Sequence, residues 1–87
     1  MSHTLWKVDI EFDETDRVTR ADVLLEADNI WYRAWGRAMR NPTDINSPKI
    51  GREIAAARAL EELALQLRGI AEHDVSVVEG HPVAVTL

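Results

Sequence analysis

Apolar and polar residues alternate along the first forty positions of the chain. From residue 5 to residue 12 every second side chain is apolar, which is the period of a half-buried strand. The same alternation runs over residues 18–27 and 30–40, and polar turns at 13–16 and at Asp28-Asn29 separate the three runs. The pattern predicts three strands joined by short turns, which form an antiparallel meander.

The second half of the chain carries the period of a helix. Residues 41–48 contain two prolines and several turn-forming residues, so they are predicted to be a loop, and Ser47-Pro48 has the order of an N-cap and a first helical residue. An amphipathic helix is predicted over about 48–72, with an extended tail at 73–87 that includes strand-like valines. The predicted inner arc is Ile54, Ala56, Ala57, Leu60, Leu63, Ala64, Leu67, Ile70 and Ala71, with Arg58, Glu62 and Gln66 opposite.

The third strand has two different faces. Ala34, Gly36 and Ala38 form a face of small side chains (the Ala/Gly face), and small residues on the helix would let it lie close to them. We therefore expect a single α+β domain over residues 1–87, of order β-β-β-α, with the helix on the Ala/Gly face. The opposite side, here called the Trp/Arg face, is then left without a helix; on the third strand it carries Trp31, Arg33, Trp35, Arg37 and Met39.

The Trp/Arg face is the candidate binding surface. Tryptophan and arginine are the residues that anchor protein interfaces, and a domain this small gains stability when a partner buries more of its surface. We expect the chain to form a homodimer or to dock a protein partner through this face, as a regulatory or interaction protein. Cover by the C-terminal tail, with the arginines paired to Asp9, Glu11, Asp22 or Glu26, is the alternative that needs no partner.

The charge pattern keeps RNA as a second hypothesis. The chain has 10 basic and 15 acidic residues, a net charge of −5, which disfavours nucleic acid over the whole surface. Residues 30–43, however, hold three arginines and no acid. Arg33, Arg37 and Arg40, extended by Lys49 and Arg52, could contact a ribosome or structured RNA.

The sequence offers few residues for catalysis, metal binding or membrane insertion. The chain has no cysteine, which excludes disulfides and thiolate sites and fits a cytoplasmic protein, and it has no long apolar run that would indicate a membrane segment. Glu53 falls near the middle of the predicted helical arc, but no second catalytic group lies at a suitable spacing. His3, His73 and His81 lack metal-ligand spacing. We expect no enzymatic activity, no metal and no cofactor.

The central part of the chain resembles a family of small, uncharacterised actinobacterial proteins. The resemblance rests on Gly36-Arg37-Ala38, Asn41-Pro42-x-Asp44, Pro48-x-Ile50-Gly51-x-Glu53-x-Ala55-x-Ala57-Arg58-Ala59-Leu60 and Leu63, with Trp6-x-Val8-x-Ile10 and His81-x-Val83 at the ends. It implies a fold like that of double-stranded-RNA-binding domains without the leading helix. It also implies a link to hypoxia or dormancy in some mycobacterial members, a shape similar to that of ribosome hibernation factors, and often a dimer. Trp31 and Trp35 depart from the smaller residues usual in those relatives.

Overall fold

Three strands and one helix follow each other along the chain. The computed structural model describes residues 2–40, 47–82, 84 and 85. The elements are β1 (Lys7–Glu14), β2 (Val18–Ala27), β3 (Ile30–Met39) and α1 (Pro48–Glu79). The strands lie in the order β1-β2-β3 and both neighbouring pairs are antiparallel. The predicted α+β meander followed by one long helix is confirmed.

Two tight turns fix the register of the sheet. Asp28 and Asn29 have φ angles of 50° and 66°, which makes the β2–β3 connection a two-residue hairpin of the kind that matches strand twist. The first hairpin closes where the Thr15 N–H donates to the Val18 carbonyl at 2.8 Å. This closure lets Asp13 and Glu14, predicted as turn residues, pair with β2. β1 therefore lies two residues further along the chain than the predicted strand at 5–12.

The core is small and lies between the helix and two of the strands. The helix packs on β3 and β2, over the Ala/Gly face, as predicted. At the centre of the contact, Gly36 lies so close to the helix that a Cβ there would stand 2.5 Å from the backbone N of Ala59 and 2.8 Å from the carbonyl O of Ala55. The buried residues are Ala21, Val23, Leu25, Ala27, Ala34, Ala38, Ala55, Ala59 and Leu63, with Ile10, Tyr32 and Leu67 packed at their edge.

The side of the helix that faces the sheet differs from the predicted arc. The buried helical residues are Ala55, Ala59 and Leu63, while Ala57, Leu60 and Ala64 from the middle of that arc are exposed. Arg58 and Gln66, which were predicted to point away, instead donate to the carbonyls of Arg37 and Arg33, both at 2.8 Å. The prediction was wrong because close packing on Gly36 requires the side of the helix that carries Ala55 and Ala59. Apolar residues extend around more of the helix than the sheet contacts, so the apolar pattern alone does not identify that side.

The helix is also longer than predicted. It continues past Gly69 to Glu79, where Gly80 adopts a left-handed φ of 79° and its N–H donates to the Ser76 carbonyl at 2.7 Å. The predicted end near residue 72 and the strand-like tail over Val75–Val78 are therefore wrong. A glycine costs a helix only about 1 kcal/mol, and valine somewhat less, so neither is enough to end a helix that has already formed.

Candidate interaction surface

The Trp/Arg face lies on the side of the sheet opposite the helix. The alternation of β3 places Trp31, Arg33, Trp35, Arg37 and Met39 there, and all five are exposed. Trp31 is 57%, Trp35 49% and Met39 68% exposed, so none of the three is covered by another described part of the chain. The predicted set of residues thus forms one continuous strip along an edge strand, with large apolar side chains open to solvent.

Arg20 belongs to this surface although it lies on β2. Its guanidinium contacts the Asp22 carboxylate through Nε, at 3.0 Å, and through a terminal nitrogen, also at 3.0 Å. The same guanidinium lies 4.5 Å from the ring centroid of Trp35, which is a cation–π contact. The hydrogen bond to Asp22 raises the pKa of Arg20. One face of the Trp35 ring therefore lies against a guanidinium that is paired with Asp22, and about half of the Trp35 side chain remains exposed.

The ion pairs differ from those of the tail-cover alternative. Asp22 pairs with Arg20, whereas the side chains of Arg33 and Arg37 form no ion pair with any described residue. The described end of the tail lies along the helix, where the Val85 N–H donates to the Glu72 carboxylate at 3.2 Å. Within the described residues, the two arginines of β3 thus remain available to a partner.

Opposite charges occupy the two edges of the Trp/Arg face. The β1 edge carries Asp9, Glu11 and Asp13, and the β3 edge carries the two arginines. The register aligns Asp9 with Leu24 and Arg33, and Asp13 with Arg20 and Arg37. Adjacent strands are about 4.8 Å apart, so the acidic and basic edges are about 10 Å apart, too far for direct pairing within one chain. The surface is therefore bipolar, which the acid-free sequence of residues 30–43 did not reveal.

The basic residues considered for RNA do not form one surface. Arg40 donates through Nε to the Asp16 carbonyl at 3.2 Å, and Arg52 forms an ion pair with Glu14 at 2.9 Å. Lys49 and Arg52 belong to the start of the helix, which packs on the other side of the sheet from Arg33 and Arg37. Residues 41–43 of the acid-free region lie outside the described residues.

Other candidate groups are dispersed. Glu53 is exposed in the second turn of the helix, and His3, His73 and His81 are exposed at separate places. Over the described residues, no three histidine, cysteine, aspartate or glutamate side chains are grouped closely enough to hold a metal ion. None of the helical residues in the described part of the chain forms a stretch long and apolar enough to cross a membrane.

Comparison with known proteins finds similar chains in mycobacteria. The Rv2632c-like family profile matches residues 4–84. An uncharacterised protein of Mycobacterium bovis, Mb1767, is 38% identical over 77 residues, which are 88% of this chain and 82% of that protein. Rv2632c of Mycobacterium tuberculosis, also uncharacterised, is 34% identical over 88% of this chain and 83% of its own length. The crystal structure of Rv2632c superimposes with a TM-score of 0.84 at 30% identity, over 94% of this chain and 98% of that one.

Proposed function

The chain belongs to the Rv2632c-like family, in which the matched relatives have no named function, and we propose that it is a non-enzymatic interaction protein that works as a homodimer. The Trp/Arg face is the dimer interface. The observation that carries the proposal is the exposure of Trp31, Trp35 and Met39 on a sheet face that no described segment covers. Tryptophan and methionine are enriched at protein interfaces, and here three of them lie together along one strand.

The charges of the Trp/Arg face favour a second copy of the chain over an unrelated partner. A two-fold axis that runs parallel to β2, midway between two facing sheets, brings β1 of one copy over β3 of the other. Asp9 and Asp13 of each copy then face the arginines of its partner. The tryptophans share the edge strand β3 with those arginines, so they pack over β1 of the partner, and the two β2 strands meet at the centre. Such self-complementarity fixes the orientation of the dimer and excludes partners with the wrong charge pattern.

A regulatory role in the cytoplasm completes the proposal. The chain has no cysteine, which fits a reducing compartment. The described residues hold no metal-ligand cluster, and the exposed groups considered for catalysis do not converge. A protein that acts by binding needs only a surface, and the Trp/Arg face supplies one.

Sedimentation velocity at micromolar concentration tests the proposal. The wild type should sediment as a dimer, and the double variant Trp31→Ser/Trp35→Ser as a monomer with unchanged far-UV circular dichroism. Trp6→Ser is the matched control, because it removes an exposed indole that precedes β1 and does not belong to the strip on β3. A wild type that is monomeric at this concentration would overturn the dimer. A double variant that sediments as a dimer would overturn the assignment of the interface to the Trp/Arg face.

A further inference from the structure

The outer edge of β1 is open. β1 is the first strand in the order β1-β2-β3, so only β2 lies beside it among the described strands. Hydrogen-bonded pairs alternate along an antiparallel ladder, and Thr15 forms such a pair with Val18. The alternation directs the N–H and C=O groups of Val8, Ile10 and Phe12 away from β2. These groups make no hydrogen bond to another described residue, so β1 presents a row of free donors and acceptors.

The opposite edge of the sheet is partly closed by the helix. By the same alternation, the carbonyls of Arg33 and Arg37 point outward from β3. They accept hydrogen bonds at 2.8 Å from Gln66 and Arg58, whose side chains reach down from the helix over that edge. The fold therefore protects β3 against strand pairing, which is how natural sheets commonly limit aggregation at an edge, and leaves β1 without equivalent protection.

The Ala/Gly face is also uncovered next to this edge. The helix packs on β3 and β2, so the apolar side chains of β1 on the same face remain accessible: Val8 is 47% and Phe12 37% exposed. Ile10 touches the core cluster. A strand added beside β1 would lay every second side chain along this apolar row and next to the core.

The acidic residues of β1 determine which kind of strand can pair with its open edge. On the Trp/Arg face, Asp9, Glu11 and Asp13 follow Lys7 and alternate with the apolar row, and the three carboxylates form no ion pair with a described residue. A second copy of β1 paired antiparallel about Ile10 would set Asp9 opposite Glu11 on both sides of the centre, which is destabilising, and only at its ends would Lys7 meet a carboxylate. A strand with basic residues at the same positions would form opposite-charge pairs instead. The edge thus disfavours its own copy and favours a basic partner.

We propose that the β1 edge binds an extended partner segment in which apolar and basic residues alternate, by adding it as a fourth strand of the sheet. The backbone groups of Val8, Ile10 and Phe12 supply the hydrogen bonds, and the alternating side chains supply the specificity. This site goes beyond the proposed dimer, because its backbone hydrogen bonds and its apolar row lie outside the dimer interface, and only the acidic residues of β1 belong to both.

Titration with a synthetic peptide tests the site. The probe is acetyl-Lys-Val-Arg-Val-Lys-Val-Arg-amide, with Glu-Val-Asp-Val-Glu-Val-Asp as the charge-reversed control. In amide hydrogen exchange followed by NMR, the probe should slow exchange at Val8, Ile10 and Phe12 and leave Trp35 on the β3 edge unchanged. Equal protection by both peptides, protection of β3, or no protection at β1 would overturn the proposal.

Substitutions on β1 separate the backbone contribution from the charge contribution. Val8→Pro removes an outward N–H without breaking the ladder to β2 and should weaken binding roughly tenfold, whereas the isosteric Val8→Thr keeps the N–H and should bind nearly as the wild type does. Glu11→Lys should weaken binding about twofold to fivefold, and Glu61→Lys, the same charge change on the helix, should not. Equal binding by Val8→Pro and Val8→Thr would refute strand addition even if Val8→Pro is less stable.

Peptide binding by the tryptophan double variant distinguishes the β1 site from the dimer interface. The Trp31→Ser/Trp35→Ser variant should bind the probe at least as tightly as the wild type, because its β1 carboxylates no longer face the arginines of a partner copy. Loss of peptide binding in that variant would place the peptide on the Trp/Arg face and overturn strand addition. A monomeric wild type that still protects β1 amides with the probe would overturn only the dimer.

Discussion

Gly36 of β3 and Ala59 of the helix are in backbone contact. The position that a Cβ on Gly36 would occupy lies 2.5 Å from the Ala59 nitrogen, and Ala59 itself is fully buried. This contact fixes the distance between helix and sheet. It also fixes which side of the helix faces inward, so it decides which residues remain on the surface for a partner.

Gly36→Ala should destabilise the fold by about 1–3 kcal/mol. The added methyl group would meet the backbone of Ala55 and Ala59, which cannot move aside as a flexible side chain could. The helix would have to lift from the sheet along its whole contact. The shift of the urea unfolding midpoint measures the effect, and an unchanged midpoint would show that the contact is looser than described.

Gly69→Ala should have the opposite effect. Gly69 lies inside the helix, is exposed, and has no atom within 4 Å of the position of an added Cβ. Alanine lowers the conformational entropy of the unfolded chain and has a higher helix propensity than glycine. We therefore expect the free energy of unfolding to rise by about 0.5–1 kcal/mol. Urea unfolding of the two alanine variants side by side checks both predictions. Destabilisation by Gly69→Ala would mean that this part of the helix is not formed as described.

The two faces of each strand could be predicted from the sequence because successive side chains of a strand alternate between the two faces of the sheet. Once β3 was extended, Trp31 and Trp35 had to lie on the side opposite Ala34 and Gly36, whatever the rest of the chain did. The bipolar charge of the Trp/Arg face needed the register in addition. Only the pairing of Asp9 with Leu24, and of Leu24 with Arg33, shows that acidic and basic residues occupy opposite edges of one surface.

The rotation and the end of the helix could not be read from the pattern. Residues 55–57 and 59 are all alanine, so hydrophobicity does not distinguish the side that packs on Gly36 from its neighbours. The valines at 75, 77 and 78 have strand composition, but helix propensities differ by only a few tenths of a kcal/mol and are easily outweighed by the continuation of a formed helix. In both cases local preference was too weak to decide.

The bipolar Trp/Arg face should bind structured RNA weakly if at all. The phosphate backbone would meet Asp9, Glu11 and Asp13 on the same surface as Arg33 and Arg37. Filter binding of a double-stranded RNA across a salt series checks this. Steeply salt-dependent binding that Arg33→Glu weakens, and that the same charge change at exposed Arg17 does not, would support the ribosome or RNA hypothesis over the dimer.

Charge exchange between the two edges of the Trp/Arg face should convert the homodimer into an obligate heterodimer. Arg33→Glu/Arg37→Glu makes both edges acidic, and Asp9→Arg/Asp13→Arg makes both basic. Each variant alone would bring like charges together around the two-fold axis, so its self-association should weaken by about tenfold or more. An equimolar mixture should recover the dimer, because each edge then meets its opposite.

Sedimentation velocity of the two variants, separately and mixed, measures this recovery. High salt should reduce the difference between the variants and the mixture, because exposed charges are screened. Glu61→Arg/Glu62→Arg is the matched control, since it adds two positive charges on the exposed side of the helix and should leave the wild-type dimer intact. Dimers of normal affinity in both separate variants would show that the charged edges do not face each other, and a mixture that stays monomeric would exclude the two-fold arrangement.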